Sequence, residues 1–341
     1  MKNLIGNNNA AEILSRLVTT GRVPNALLFA GPEGVGKKQF AIELARSFVC
    51  THLKGGLACG QCPPCHRAGE FAIPKFENGK ESDRVFFGQH PDVGMVVPYN
   101  RNLRIDAIRA LEREANFRPF EANARVFIID DAEKMNDASS NALLKTLEEP
   151  PATSHIILIA SRADCLLPTI RSRCQIIRFA PVPALEIERH LTDIGLFDAT
   201  DAALAAHASG GSVGRALEFV PASFRDQRSA MLDVLRAAVA GDRRELLRCS
   251  EEMNDARAKD EFEEKLAILE NLIHDVWVLR NGSSETIFNP DILADLKQLS
   301  DRIPSGDLSG WLSRIELLGE SLAVNVNRKV STDALFVGMS A

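Results

Sequence analysis

The first half of the chain alternates continuously apolar runs with stretches whose apolar residues recur at helical spacing. The apolar runs Ala26–Ala30, Val126–Asp130 and His155–Ala160 have the length of strands, and the stretch Ser139–Leu147 between the last two has helical periodicity. Strands that read as unbroken apolar runs are typical of a sheet covered on both faces. Their alternation with helices therefore predicts an α/β fold, a parallel sheet with helices on both faces.

The pattern changes near Pro181, where the predicted strands stop. From there on the chain carries long amphipathic stretches such as Phe262–Leu279, separated by polar or Pro/Gly breaks, which predict helices alone. With 341 residues, the chain is long enough for two or three domains of roughly 100–200 residues each. The predicted division is an α/β domain over residues 1–180, a small helical domain over 181–222 and an all-α domain over 223–341.

Composition and charge narrow the classes of function. Apolar residues make up 45% of the chain and charged residues 25%, as in ordinary globular proteins. The formal net charge of -6 argues against holding DNA by bulk charge, because non-specific binding to phosphates needs a dense Lys/Arg surface. No apolar run approaches the roughly 18 residues that span a bilayer, and the N-terminal stretch lacks the apolar core of a signal peptide. We therefore expect a cytoplasmic protein with no membrane association.

A glycine-rich stretch between the first predicted strand and the helix after it nearly matches a phosphate-binding loop, G-x-x-x-x-G-K-[ST]. Gly31, Gly34 and Gly36 would let backbone N–H groups converge on phosphate oxygens, and Lys37 would reach the β and γ phosphates. The departure is Lys38, which stands where the motif requires a hydroxyl group to bind Mg²⁺. Because a lysine has no acceptor atom and brings a positive charge to the metal position, ATP or ADP with Mg²⁺ is expected to bind weakly or not at all.

The acidic residues that a nucleotide site needs beside the metal are Asp130 and Asp131, at the end of a predicted strand. Asp130 could complete the Mg²⁺ shell, whereas Asp131 is one methylene shorter than the glutamate that usually orients the attacking water. Two interpretations stay open. Either the loop is a nucleotide site whose hydrolysis is damaged at two positions, or it is a degenerate loop that is kept only for folding.

Four of the seven cysteines are clustered at Cys50, Cys59, Cys62 and Cys65. Two C-x-x-C spacings and four thiolates suit tetrahedral Zn²⁺, and they leave no open position for a catalytic water. The cluster predicts a structural zinc module over residues 50–65, inserted into the first domain. Fe–S ligation and unligated thiols are the alternatives. The other three cysteines are expected to be buried as small hydrophobic residues: Cys165, Cys174 and Cys249.

Five further stretches are distinctive when they are considered together. They are HPD at His90–Asp92, RIDAIRAL at Arg104–Leu111, VFIIDDAEKMN at Val126–Asn136, NALLKTLEEPP at Asn141–Pro151 and LLPTIRSRC at Leu166–Cys174. With the spaced cysteines, they resemble the bacterial clamp-loader AAA+ subunits of DNA polymerase III. The resemblance is strong over residues 1 to about 222 and weak beyond, where Leu322–Leu335 carries it. It implies a P-loop AAA+ domain, a helical lid domain and a helical collar domain that mediates oligomerisation.

Two departures place the chain within that family. The gamma/tau motor subunits keep Ser or Thr where Lys38 stands and Glu where Asp131 stands, whereas delta-prime subunits typically have a weakened or lost ATPase site. The chain is therefore most similar to the delta-prime branch. That branch implies gamma/tau and delta subunits as partners, with the sliding clamp and primer-template DNA in the same complex, and no independent catalysis within the DNA polymerase III holoenzyme. The alternative is an ATP-hydrolysing motor of the gamma/tau type.

The resemblance also implies roles for single residues. Arg173 matches the arginine that the family offers in trans to ATP on the neighbouring motor subunit. Ser161 and Arg215 match the sensor positions of the chain's own nucleotide site, and Arg104 and Arg109 lie on the helix that faces the DNA duplex. For each, an ordinary structural role stays open. It is a surface ion pair for Arg173, a strand-end hydrogen bond for Ser161 and a solvated charge for the others.

A zinc-dependent DNA-binding protein is a third hypothesis. The negative net charge and a metal site made only of cysteines argue against it. The insertion Ala68–Gly88 is longer than the family leads us to expect, and it has no predicted function.

Overall fold

The computed structural model describes residues 4–71, 73, 82–100, 102–255, 261–282, 287–322 and 327–340. It separates into two compact units, one formed by Met1–His190 with Gly211–Arg215 and the other by Leu191–Gly210 with Ala216–Ala341. The division into three domains, with borders at about 180 and 222, stays a prediction. Residues 72 and 74–81 of the long insertion, and residues 323–326 of the C-terminal resemblance, lie outside the described residues.

A single sheet forms the centre of the first unit. Its strands are β1 (Ala26–Ala30), β2 (Phe86–Phe87), β3 (Val93–Val96), β4 (Arg125–Ile129), β5 (Ser154–Ala160) and β6 (Gln175–Arg178). Their order across the sheet is β2-β3-β4-β5-β1-β6, and every pair is parallel except β2 with β3 at one edge. The predicted parallel sheet is confirmed. The apolar pattern missed β2, β3 and β6 because each has four residues or fewer.

Helices cover both faces of this sheet. On β1, Leu27 and Phe29 join a core with Phe40 of the second helix, while Leu28 joins a second core with Ile108. Because successive side chains of a strand point to opposite faces, a strand covered on both sides is apolar at every position. This arrangement confirms the predicted α/β fold. The helices of the unit are α1 (Asn8–Thr20), α2 (Lys37–Val49), α3 (Pro63–Gly69), α4 (Ile105–Ala115), α5 (Asp137–Glu148) and α6 (Pro168–Arg171), with 3-10 turns at Ala132–Lys134 and Ala163–Cys165.

A buried ion pair holds the turn that leads into β4. Asp92 is fully buried, and its carboxylate accepts hydrogen bonds of 2.8–2.9 Å from the backbone N–H groups of residues 120–122. Arg125 is equally buried, lies 3.7 Å from that carboxylate and donates to the backbone oxygen of Glu114 at 2.6 Å. The HPD stretch therefore has a structural role, because Asp92 satisfies backbone donors that are turned away from water.

In the second unit, every secondary-structure element among the described residues is a helix, as predicted. Phe262 and Leu272 are fully buried in one core with Trp311 and Phe336. The helix that carries the first two runs over Phe262–Arg280, in agreement with the amphipathic pattern. The helices after β6 are α7 (Ala184–Asp193) and α9 (Val213–Leu217), which cross the borders of the units, and α8 (Ala199–Ala208), α10 (Pro221–Ala240), α11 (Arg243–Met253), α12 (Phe262–Arg280), α13 (Leu293–Ser300), α14 (Ser305–Leu322) and α15 (Arg328–Val337).

The structure tests two expectations, one about membrane-spanning helices and one about the burial of single cysteines. None of the helices in the described part of the chain is both long and apolar enough to cross a membrane. Cys174 and Cys249 are buried as expected, but Cys165 is exposed, so that expectation is wrong for Cys165. It ends the 3-10 turn after β5, outside the packed layers of helix and sheet.

Candidate functional site

The glycine-rich loop runs from the end of β1 to the first turn of α2. Gly34 and Gly36 have positive φ angles of 74° and 97°, in the region that favours glycine. A Cβ atom on Gly34 would lie 1.9 Å from the Ser212 Oγ, and the Gly34 carbonyl accepts a hydrogen bond of 2.9 Å from the Gly214 N–H. The loop is thus held closely against residues 211–215, and a side chain at position 34 would displace it.

Lys37 lies buried within this loop, with 5% of its surface exposed. Its Nζ donates to the backbone oxygens of Gly31 and Pro32 at 2.5 and 2.6 Å, and it lies 3.4 Å from the Ser161 Oγ. Burial lowers the pKa of Lys37, and the nearby Glu133 carboxylate opposes that shift. The structure therefore brings together Gly31, Lys37 and Ser161, three residues of the predicted nucleotide site.

Both acidic residues at the end of β4 are paired with lysines of the same chain. Lys38 Nζ lies 2.7 Å from Asp130 Oδ2, and Lys134 Nζ lies 2.8 Å from Asp131 Oδ2. The hydrogen bond to Asp131 raises the pKa of Lys134. The Asp130 side chain is only 16% exposed, so water screens its ion pair less than a surface pair. The Lys38 ammonium group therefore engages Asp130, the carboxylate that is predicted to complete the Mg²⁺ shell.

An open cleft of about 610 Å³ adjoins the loop. Its walls include the acidic side chains of Glu33, Asp131 and Glu133 and the basic side chains of Lys134 and Arg162. The Glu133 carboxylate accepts a hydrogen bond of 2.9 Å from the backbone N–H that follows β5. Carboxylates outnumber basic groups here, and a polyphosphate is repelled by carboxylates unless a metal ion or further basic groups balance the charge.

Arg173 is the second residue after the short helix α6. Its Nη1 donates to the Thr169 backbone oxygen at 2.9 Å, and its Nη2 lies 2.7 Å from the Glu148 Oε1 at the end of α5. The Arg173 side chain is 34% exposed. Arg171, two residues earlier, lies 3.6 Å from a carboxylate oxygen of Asp164. The Arg173 guanidinium is therefore accessible at the surface and already engaged in an ion pair within its own chain.

Three further arginines that are predicted to meet phosphates also lie at the surface. Arg104 Nε lies 3.0 Å from Asp83 Oδ1, and Arg109 Nη1 lies 3.6 Å from Asp106 Oδ1. Arg215 is exposed on α9. Surface ion pairs contribute roughly 0–1 kcal/mol, so a phosphate group can replace a paired carboxylate at little cost. The roles of all three arginines stay predictions.

The four clustered cysteines bring their sulfur atoms together between α2 and α3. The Sγ atoms of Cys50, Cys59, Cys62 and Cys65 all lie within 4.8 Å of one another, and those of Cys59 and Cys65 are 3.9 Å apart. Zinc–sulfur bonds of about 2.3 Å in a tetrahedron place sulfur atoms about 3.8 Å apart. The side chains therefore fit Zn²⁺ in donor chemistry and in spacing, and the prediction of a cysteine cluster able to hold zinc is confirmed.

Backbone N–H groups and burial act in opposite directions on these thiols. The Cys59 amide donates to Cys50 Sγ at 3.3 Å. The amides of Gln61 and Cys62 lower the pKa of Cys59. Burial raises the pKa of Cys65. Burial therefore opposes ionisation at Cys65, and a bound dication would reverse that preference because metal-bound thiols are deprotonated.

Comparison with known proteins identifies the family. The sequence model of the family described as DNA polymerase III, delta subunit, matches residues 6–183, which is more than half of the chain, and the model of its C-terminal region matches residues 222–331. DNA polymerase III subunit delta' of Escherichia coli K12 is 28% identical over 320 residues, a match that covers 91% of this chain and 87% of that protein. The chain belongs to the DNA polymerase III delta-prime subunit family. The resemblance drawn from the sequence motifs is thereby confirmed.

Two other relatives match about half of this chain. DNA polymerase III subunit delta' of Bacillus subtilis is 33% identical over 182 residues, which cover 53% of this chain and 50% of that protein. DNA polymerase III subunit gamma/tau of Mycobacterium tuberculosis H37Rv is 33% identical over 180 residues, which cover 53% of this chain and 28% of that protein. The delta-prime family therefore shares part of its sequence with the gamma/tau subunits.

The sequence alone missed the side chains that pair with the predicted site residues. Glu148 meets Arg173 only because α5 packs beside α6, and no local spacing connects two residues so far apart in the chain. The pair of Lys134 with Asp131 is different, because residues three apart on a helical turn are neighbours. A search for that spacing at the end of the acidic strand could have found it.

Proposed function

We propose that this chain is a non-motor subunit of the bacterial clamp loader. It assists the ATP-driven loading of the sliding clamp onto primed DNA by supplying Arg173 to ATP on a neighbouring gamma/tau subunit. The observation that carries the proposal is the 2.7 Å ion pair between Lys38 and Asp130, which leaves the chain's own site without a usable metal position.

The chain's own loop lacks the groups that phosphoryl transfer needs. That reaction depends on a metal ion bridging the phosphates and on a residue that orients the attacking water. Lys38 offers no acceptor atom and engages Asp130, while Asp131 is engaged by Lys134. Any ATP or ADP bound here with Mg²⁺ is therefore held weakly and not hydrolysed.

Arg173 is the residue we assign to the neighbour's reaction. A guanidinium is always charged and presents a planar fork of donors that matches phosphate oxygens. With 34% of its side chain exposed, Arg173 can be reached by a second chain. Arginines of this kind contribute on the order of 10³–10⁵ in rate at the site they serve. Catalysis then belongs to the motor subunit, and this chain has no independent activity within the holoenzyme.

The remaining features of the chain support assembly. The four-cysteine cluster would hold a structural Zn²⁺, whose charge keeps the thiolates ionised and ties α3 to the end of α2. Arg104 and Arg109 would contribute to a sequence-blind grip on primer-template DNA, shared with the other subunits. The helical second unit would contact gamma/tau and delta subunits, and we place the whole complex in the cytoplasm.

ATP turnover by the isolated chain tests the proposal. With Mg²⁺ present, we expect no hydrolysis above the background of a buffer control, whether or not primed DNA is added. Turnover by the purified chain that is lost in a Lys37→Ala variant would overturn the proposal. Preparing that variant in parallel excludes a contaminating ATPase as the source of any activity.

A gamma/tau-like motor is the second candidate, and the 33% identity to the Mycobacterium tuberculosis gamma/tau subunit over 180 residues favours it. A motor must hydrolyse ATP by itself, and for a motor the change Lys38→Thr would alter turnover little. If the chain is the non-motor subunit instead, the unmodified protein is inactive in the same assay.

A further inference from the structure

Glu148 is the residue that meets the Arg173 guanidinium from a different helix. We propose that Glu148 is a positioning residue that orients Arg173 for ATP on the neighbouring subunit, an inference that rests on the proposed function. Its Oε1 lies 2.7 Å from Arg173 Nη2, and among the described residues no other carboxylate lies within ion-pair distance of that guanidinium.

The placement of Glu148 gives its own helix no benefit. It is the last residue of α5, where the exposed carbonyl groups and the helix dipole present negative charge. A carboxylate at that end is unfavourable unless a positive group lies beside it. Arg173 is that group. The pair therefore offsets the unfavourable charge at the end of α5 and links that end to Arg173, the second residue after α6.

Both partners stand on backbone with little freedom to move. α5 ends at Glu148, and Pro150 and Pro151 follow after Glu149, so the helix cannot continue and the direction of its last turn is defined. On the other side, the Arg173 N–H donates to the Ile170 carbonyl in the turn that closes α6. The ion pair thus joins two well-defined points in the first unit.

One hydrogen bond and one ion pair hold the Arg173 guanidinium within its own chain. A guanidinium carries five N–H donors in one plane. Nη1 donates one hydrogen bond to the Thr169 carbonyl, and the Glu148 carboxylate lies 2.7 Å from Nη2 as an ion pair, so the rest of the guanidinium stays open to phosphate oxygens. These two contacts restrict the orientation of the planar guanidinium before ATP binds. Fewer side-chain rotamers then have to be lost when Arg173 meets the phosphates. Glu148 therefore raises the rate at which the neighbour's ATP is hydrolysed and does not block it.

The test uses the complex reconstituted from this chain with gamma/tau and delta subunits, primed DNA and the sliding clamp. The readout is kcat and KM for DNA-stimulated ATP hydrolysis, and the finger-dependent part of kcat is the difference between complexes with the unmodified chain and with Arg173→Ala. We expect Glu148→Ala to lower that part about twofold or more with KM unchanged, as for an interaction made in the transition state. Glu148→Gln retains more than half of it, because a side chain of the same length still places an oxygen atom beside Nη2.

Controls separate orientation from folding and from the proposed function itself. Glu149→Ala removes the adjacent exposed carboxylate, which forms no ion pair among the described residues, and it is expected to leave kcat unchanged. In an Arg173→Ala background, Glu148→Ala is expected to have no additional effect, whereas damage to the fold would persist there. Turnover by Glu148→Ala equal to or above that of the unmodified complex overturns the inference, as does a loss in Glu148→Gln as large as in Glu148→Ala. If Arg173→Ala itself has no effect, the proposed function fails, and this outcome is read separately from the Glu148 variants.

Discussion

Lys38 determines the chemistry of the glycine-rich loop. The loop keeps its glycine conformations and its buried Lys37, so the backbone remains suited to phosphate oxygens. A lysine in place of a hydroxyl group removes one predicted metal ligand, and its ammonium group engages Asp130, the carboxylate predicted to complete the Mg²⁺ shell. The missing hydroxyl is visible in the sequence, but the loss of Asp130 depends on a contact between α2 and β4 that only the fold creates.

Restoring the hydroxyl group at position 38 is the residue-scale prediction. In Lys38→Thr, Asp130 is released and a hydroxyl group can bind Mg²⁺, so the Kd for Mg·ATP is expected to fall by at least about tenfold, or 1.4 kcal/mol. Isothermal titration calorimetry with and without Mg²⁺ measures this. Lys134→Thr serves as the control because it removes the lysine that pairs with Asp131 and leaves the pair of Lys38 with Asp130 in place. Equal affinity in Lys38→Thr and the unmodified chain would contradict the account.

Short elements mark the limit of prediction from sequence at the scale of helices and strands. The longer strands were found because unbroken apolar runs identify them, and α12 was found because its apolar stripe continues for five turns. β2, β3 and β6 were missed since two to four residues carry no periodicity. The HPD stretch was recognised as a family motif, yet its role appears only when the Asp92 carboxylate is seen to hold the turn at residues 120–122.

The Asp92 anchor leads to a prediction about stability. Asp92→Asn removes the fully buried negative charge beside Arg125, which keeps only its 3.1 Å ion pair with the partly exposed Glu114, and it sets an amide N–H against backbone donors. Removing one partner of a buried pair costs about 3–5 kcal/mol, and we expect a loss of that order in the free energy of unfolding. Urea denaturation measures it. Asp106→Asn, at a half-exposed position on α4, is the matched control, with an expected change below about 1 kcal/mol. Similar values for the two variants would show that the Asp92 network is not an anchor.

The zinc module gives a second prediction at the scale of elements. α3 is only seven residues long, and helices this short are marginal without other support, so removing the metal with a chelator should unfold it. The effect should extend to residues 120–122, because Arg67 on α3 lies 2.7 Å from Glu121. Hydrogen exchange followed by mass spectrometry measures both segments. In Arg67→Ala with metal bound, only the second segment should exchange faster. Unchanged exchange in α3 after chelation would contradict a structural metal site.

At the scale of the whole molecule, the net charge of -6 argues against DNA binding by the isolated chain, but it does not argue against DNA binding shared by several subunits. Arg104 and Arg109 are both paired with carboxylates, so these two arginines offer little unbalanced charge to a duplex. We predict that the isolated chain binds primed DNA more weakly than about 10⁻⁴ M at about 150 mM salt, the weak end of non-specific binding. Fluorescence anisotropy measures this affinity. Micromolar binding would instead support the zinc-dependent DNA-binding hypothesis.

ATP turnover by the reconstituted complex tests the central claim most directly. With Arg173→Ala, we predict that DNA-stimulated hydrolysis falls by about the share that one motor site contributes, because the site beside this chain loses a contribution on the order of 10³–10⁵ while other motor sites continue. Arg171→Ala, which removes a neighbouring paired arginine, should leave turnover close to that of the unmodified complex. Turnover that is unchanged by Arg173→Ala, in a complex shown to be fully assembled, would contradict the trans-acting role of Arg173.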